Sequence, residues 1–272
     1  MINTFLHMLS YPFLVNALIV GILVSLCASL LGVSLVLKRY SMIGDGLSHV
    51  GFAALAVAYA MNAAPLVIAV PVCVVAAFLL LRMKDNSKLK GDAATALLCS
   101  GSLAIGVMTI SLTTGMNTDV CNYMFGSILA MSQADVRLSI ILSIIVLILY
   151  VIFYNKIFAV TFDETFTKAT GTRSNLYNML IALLTSVTVV LGMRMMGTLL
   201  ISSLIIFPSL ASMRICKQFR TVILSSAIIS ILCFIVGIYF SFIYSTPTGA
   251  SIVIANMIVF FVFAMIERIR ER

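Results

Sequence analysis

Apolar residues run along this chain in blocks too long and too uniform for the one-sided pattern of a water-facing helix. Between charges and breakers lie nine candidate segments, at roughly 13–37, 41–61, 65–81, 93–113, 136–155, 174–192, 196–213, 221–244 and 249–266. Each approaches the ~20 residues that a helix needs to cross a hydrocarbon core. The expected fold is therefore all-α, a polytopic transmembrane bundle in which residues 1–272 form one domain. Asn62-Ala63-Ala64-Pro65 and Ser245-Thr246-Pro247-Thr248-Gly249 separate neighbouring segments with ordinary turn chemistry. The break between Gly192 and Gly197 is weaker, and eight spans result if the sixth and seventh segments run together. The uncharged run from Met8 to Leu37 is too long for a signal-peptide core and is expected to stay as a span. A shorter apolar stretch, Tyr123–Met131, reads as a re-entrant or interfacial helix.

Composition sharpens the picture. Of 272 residues, 62% are hydrophobic and only 10% are charged, with a mean hydropathy of +1.19. Soluble globular domains are nearer half apolar and a quarter charged. Soluble enzymes, nucleic-acid binders, disordered chains and disulfide scaffolds are excluded together. The six cysteines, Cys27, Cys73, Cys99, Cys121, Cys216 and Cys233, are scattered with no C-x-x-C pair, and read as small core residues.

The net charge of +8 reports topology. With the N-terminus outside and nine alternating spans, fifteen of the seventeen basic residues fall on the inner side, among them Lys38, Arg39, Lys156, Arg173, Arg214 and Arg268. Only Arg137 and Arg194 fall outside. This is the positive-inside bias, and it places the loop between Lys156 and Arg173 and the C-terminus in the cytoplasm. The basic excess needs no nucleic-acid partner; the lipid bilayer accounts for it.

Ionisable residues within a span are costly and mark function by default. Asp85, Asp92, Asp119, Asp135, Asp163, Glu164, Glu267 and Glu271 sit in loops or at span ends, and His7 precedes the first span. Asp45 and His49 remain, in the second segment. Spaced i, i+4, they share one helix face, at depths of roughly 7 and 13 Å from the start of a helix beginning at Tyr40. Carboxylate and imidazole together can ligate zinc, manganese or iron. The same pair also suits a first-turn acid favouring the helix dipole, beside a hydrogen-bonded histidine. Two ligands fall short of the three or four that zinc takes. Gly44, Gly46, Gly51 and the alanines at 53, 54, 56, 58 and 60 make this helix slim, able to pack centrally or to unwind at Gly44-Asp45-Gly46.

Catalytic signatures are missing. The chain has no H-E-x-x-H, G-x-S-x-G or G-x-x-x-x-G-K-[ST] motif, so any ATP use belongs to a partner. The loop from Phe162 to Arg173 reads as a short helix on the membrane face, with Asp163 and Glu164 at its start and Gly171 as its C-cap. Phe162 and Phe166, spaced i, i+4, offer an apolar edge to a partner protein or to lipid headgroups.

Four passages give the chain a resemblance to the integral-membrane permeases of zinc-, manganese- and iron-type ABC importers. Leu37-Lys-Arg-Tyr-Ser-Met-Ile-Gly-Asp-Gly-Leu-Ser-His49 resembles the family's arginine–methionine–serine, glycine–aspartate, leucine–serine–histidine signature. Asn122–Ala130 resembles its external tyrosine, phenylalanine–glycine–serine segment, Phe162–Gly171 its coupling helix, and Gly197–Pro208 a span ending in proline. Gly46 and Val50-Gly51-Phe52 depart from the usual pattern and change the helix beside the ligands.

The resemblance implies an ABC-importer permease in a bacterial cytoplasmic membrane. It would work as two copies with two cytoplasmic ATPases, fed by an extracytoplasmic metal-binding protein. Asp45 and His49, supplied twice by symmetry, would hold the cargo: zinc first, then manganese or iron. Phe162, Asp163, Glu164, Phe166 and Gly171 would couple to the ATPase, and Gly197 and Pro208 would be helix bends. ATP would bind the partner, and this chain would carry no catalytic cofactor. The rival expectation is a stand-alone secondary transporter with Asp45 and His49 as a proton relay.

Overall fold

The computed structural model describes residues 11–86, 91–113 and 132–270. Among these, eleven helices follow one another with no strand: α1 (Pro12–Leu37), α2 (Met42–Ala60), α3 (Pro65–Asn86), α4 (Gly91–Thr113), α5 (Gln133–Ile152), α6 (Tyr154–Phe162), α7 (Glu164–Ala169), α8 (Ser174–Met196), α9 (Thr198–Ile215), α10 (Phe219–Tyr244) and α11 (Thr248–Arg270). Nine of them are long and apolar enough to span a bilayer, and α6 and α7 are short. The all-α polytopic expectation holds, with nine spans rather than eight.

Two boundaries differ from the pattern reading. The fifth span stops at Ile152, and the chain turns at Phe153 into α6 rather than running to residue 155. The weak break resolves at Gly197, which adopts φ +86° and ψ 166°. That is backbone space reserved almost wholly for glycine. Gly192 instead lies inside α8, where an added Cβ would meet Ile201 Cδ1 at 2.4 Å. The stretch 123–131, and with it the resemblance at Asn122–Ala130, lies outside the described residues.

The spans differ in how deeply the bundle encloses them. α2 and α8 are the most enclosed spans and α11 the least. Lipid offers no hydrophobic drive between helices, so close contact relies on small residues and polar seams. Such a seam joins α1, α9 and α10. Ser230 Oγ donates to the Ser25 carbonyl (3.0 Å), while Ser226 and Ser209 donate to that of Ser29 (3.4 and 3.5 Å). Gly32 completes it: a Cβ there would fall 2.1 Å from the Ile205 carbonyl oxygen, a backbone atom that cannot swing aside.

Ion pairs fasten the two ends. At the basic end, Glu164 lies 2.9 Å from Lys168 and 3.7 Å from Lys38, and Arg214 pairs with Glu267. At the opposite end, Arg194 of α8 reaches Asp135 of α5 (2.8 Å) and the Tyr59 hydroxyl of α2 (2.9 Å). Asp135 also accepts from Ser132 in a capping box that starts α5. Sequence reading set Asp135 aside as a span-end acid. In the structure its side chain is only 14% exposed and that of Arg194 only 8%.

Removing one partner of a shielded pair leaves an uncompensated charge, at a cost of about 3–5 kcal/mol. Arg194→Ala is therefore expected to lower the thermal unfolding temperature of detergent-purified protein clearly. Replacing the pair together (Arg194→Met with Asp135→Asn) is expected to recover most of that loss. Equal melting of Arg194→Ala and the parent would remove the ion pair from the account of stability.

Candidate metal site

The site begins at the end of α1. Arg39 takes a left-handed φ of +58°. The N–H groups of Arg39 and Tyr40 donate back to the carbonyls of Val36 and Leu35 (3.0 and 2.7 Å), a Schellman-type closure. The chain thus reverses directly into α2, whose first turn carries Asp45. Gly44-Asp45-Gly46 stays helical rather than unwinding.

Asp45 and His49 do share a face. His49 Nε2 lies 3.9 Å from Asp45 Oδ2, beyond hydrogen-bond range. The Asp45 and His49 side chains are 37% and 21% exposed, so neither is sealed inside the bundle. Ser202 of α9 donates to Asp45 Oδ1 at 3.0 Å and steadies the carboxylate. Ser48 turns away, donating to the Asp45 carbonyl (2.7 Å), so its adjacency to His49 carries no chemistry. His49 Nδ1 is buried and has no hydrogen-bond partner among the described residues.

A third donor arrives from α4. One ligand atom each from Asp45, His49 and Cys99 lie within 4.8 Å of one another. Gly46 permits this approach: a Cβ there would stand 2.9 Å from Thr95 Cγ2 and 3.8 Å from Cys99 Sγ. The reading of the cysteines as core residues suits Cys27, Cys73 and Cys233, which are buried. It is corrected for Cys99, which is half-buried beside the acid and the imidazole. No spacing in the sequence signalled Cys99 or Ser202, since each comes from a different helix. Oxygen, nitrogen and sulfur donors so grouped are chemically suited to a divalent transition cation.

The loop predicted as 162–171 forms a shorter helix, α7. Phe162 is the last residue of α6, and the Asp163 side chain caps α7 by accepting from the Phe166 N–H (2.8 Å). Phe162 and Phe166 therefore sit on two helices rather than on one i, i+4 edge. Both remain exposed, at 59% and 65%, though Phe162 rests against Phe158 and Phe219. Gly171 closes α7 with φ +78°, and the Gly171 and Thr172 N–H groups return to Lys168 and Thr167. Partial burial works to raise the Glu164 pKa. Hydrogen bonds from Lys168 and Asn178, with the charges of Lys38 and Lys168, outweigh it and hold the carboxyl below its usual range. Lys38 also donates to Asn178, tying α7 and α8 to the α1–α2 turn that precedes Asp45. Of the two candidate bends, Gly197 ends a helix outright, whereas α9 continues through a buried Pro208.

Nine apolar helices among the described residues, with a small donor cluster between two of them, mark a polytopic membrane protein. Residues 10–267 match the ABC 3 transport family, and the chain belongs to that family. The chain is 29% identical over 263 residues to the manganese import system permease protein ScaB of Streptococcus gordonii, spanning 96% of this chain and 94% of ScaB. It is 28% identical over 260 residues to the high-affinity zinc uptake system membrane protein ZnuB of Haemophilus influenzae, spanning 96% and 99%. The solved PsaBC from Streptococcus pneumoniae, in complex with Fab, superposes with a TM-score of 0.87 at 28% identity, covering 97% of this chain and 95% of that one. An inward-facing metal-chelate type ABC transporter shares the fold at TM-score 0.73 and 13% identity. The resemblance drawn from the sequence passages to the metal-type ABC importer permeases is borne out.

Ser202→Ala is expected to leave the fold intact but free the Asp45 carboxylate. Its effect should be a several-fold loss of divalent-cation affinity, measured by titration of the purified complex. Unchanged affinity would show that the Ser202 hydrogen bond does not position the carboxylate.

Proposed function

We infer that this chain is the membrane-spanning subunit of an ATP-driven importer for a divalent transition metal, and that the cation passes Asp45 and His49. The observation that carries this reading is the donor cluster at the start of α2, in a chain of the ABC 3 transport family. Relatives named for manganese and for zinc transport support the cargo class. Two copies related by a twofold axis would present both residues twice, in keeping with the closed symmetry usual for homo-oligomers. In apolar surroundings the carboxylates compensate the charge of a partly dehydrated cation.

Residues 1–272 act as one permease domain, with the basic end of the bundle and the C-terminus in the cytoplasm. There Phe162 and Phe166, framed by Asp163, Glu164 and Gly171, meet a partner ATPase that binds and hydrolyses ATP. An extracytoplasmic metal-binding protein delivers cargo to the opposite end. Movement of α7 passes through Glu164 and Lys38 to the α1–α2 turn, and so to Asp45, as a rigid-body change between two states. Family membership disfavours a proton relay working without an ATPase.

The test is metal accumulation in an uptake-deficient host expressing the whole system. Asp45→Ala and His49→Ala are each expected to abolish uptake at matched membrane abundance. Normal uptake by both would take the cation path away from these residues.

Glu164 provides a separate check on coupling. Its folded pKa is depressed, so its pairing contributes fully above the unfolded value of about 4.3. That contribution is lost as pH falls through the lower, folded value. Glu164→Gln imposes the discharged state at neutral pH. It is expected to reduce metal-stimulated ATP hydrolysis several-fold in reconstituted complex while metal affinity is retained. Unaltered stimulation would exclude Glu164 from the coupling route.

A further inference from the structure

The geometry points to Cys99 as a third ligand of the passing cation, one that biases the permease toward zinc and other thiophilic metals and against manganese. This deepens, and rests on, the reading of Asp45 and His49 as the cation's path.

Zinc bonds of about 2.0–2.3 Å to oxygen, nitrogen and sulfur in tetrahedral geometry require donor separations of about 3.4–3.6 Å. The observed Nε2–Oδ2 separation is 3.9 Å, and the three donor atoms fall within 4.8 Å. A contraction of about 1 Å, within reach of χ1 and χ2 adjustment of half-buried side chains, would close the three on one ion. His49 Nδ1 is buried and has no hydrogen-bond partner among the described residues, so no hydrogen bond at that nitrogen fixes the ring against a small rotation.

Charge gives a second, independent argument. On binding, the cation takes the place of the thiol proton, forming a sulfur–metal bond and releasing H⁺ to water. Thiolate, carboxylate and neutral imidazole then carry two negative charges against the two positive charges of the ion. The three donors of one copy thereby match the charge of one cation inside an apolar bundle, where a net charge is costly. Three protein ligands with one open position is also the arrangement of catalytic zinc sites, whereas closed structural sites take four. A transport site must release what it binds, and the open position suits that need.

Selectivity follows from donor type. Thiolate favours zinc over manganese, while manganese is best served by carboxylate, carbonyl and water. The placement is specific to a contact between α2 and α4 that Gly46 makes possible. Cys73 also lies against α2, yet it is buried and directs its thiol to the Leu47 carbonyl (3.7 Å), away from any second donor cluster.

The experiment uses the whole transporter complex in two measurements. In wild-type protein, zinc chloride is expected to slow alkylation of Cys99 by iodoacetamide, followed by peptide mass spectrometry, by at least about tenfold. Magnesium chloride should not, and Asp45→Ala should abolish the protection. In cells, Cys99→Ser is expected to lower the zinc-to-manganese uptake ratio by at least about tenfold, with Cys99→Ala as a second variant should the serine complex fail to assemble. Zinc-independent alkylation of Cys99, or an unchanged uptake ratio in the assembled variant, would overturn the assignment. If Asp45→Ala still abolishes uptake of both metals in that case, the transport site survives and only Cys99 leaves it. Full uptake by Asp45→Ala would instead fail the underlying reading of the site.

Discussion

Close approach of α2 to its neighbours underlies everything else in this molecule. A helix lined with Gly44, Gly46, Gly51 and a run of alanines presents almost bare backbone to α3, α4, α8 and α9. In lipid, where apolar surfaces gain nothing by hiding from one another, such thinness is what lets helices gather tightly. The same thinness opens space for polar side chains on the face that is not filled. Asp45 and His49 occupy that face, and because Gly46 lacks a Cβ, Thr95 and Cys99 come within reach of it.

Polar chemistry elsewhere in the bundle obeys the same accounting of hydrogen bonds. Buried serines of α1, α9 and α10 donate to backbone carbonyls across helix boundaries. Arg194 and Asp135 neutralise each other and draw in Tyr59. At the other end, Glu164 is shared between Lys38 and Lys168. It thereby links a surface helix bearing the exposed Phe166 ring to the turn that launches α2. The distance from α7 to the donor cluster is thus bridged by one charged contact and one tight turn.

Much of this was legible beforehand, for identifiable reasons. Nine spans followed from hydrophobic run length, because a helix must satisfy its own backbone inside a bilayer. Asp45 and His49 stood out because charge in a span is rare and their spacing lies along one helix. Gly171 was readable as a helix stop since its role is local. The i, i+4 edge of Phe162 and Phe166 failed because Asp163 caps a new helix between them, a competition between capping and continuation that periodicity does not register. Cys99 was misread because six scattered cysteines look alike until neighbouring helices are placed.

The division between the two kinds of information follows range. Sequence by itself determined the solvent, the positions of the apolar segments, the charge asymmetry and the candidate acid and imidazole, all properties of a few consecutive residues or of overall composition. Tertiary structure alone decided that Ser202 holds Asp45, that Arg194 meets Asp135, and that Cys99, among the five described cysteines, stands beside the pair. Each of these contacts joins residues on helices separated by tens of positions in the chain. Their meeting depends on where a missing Cβ lets two backbones come together, and hydrophobic runs of nearly identical composition carry no record of which helix lies next to which.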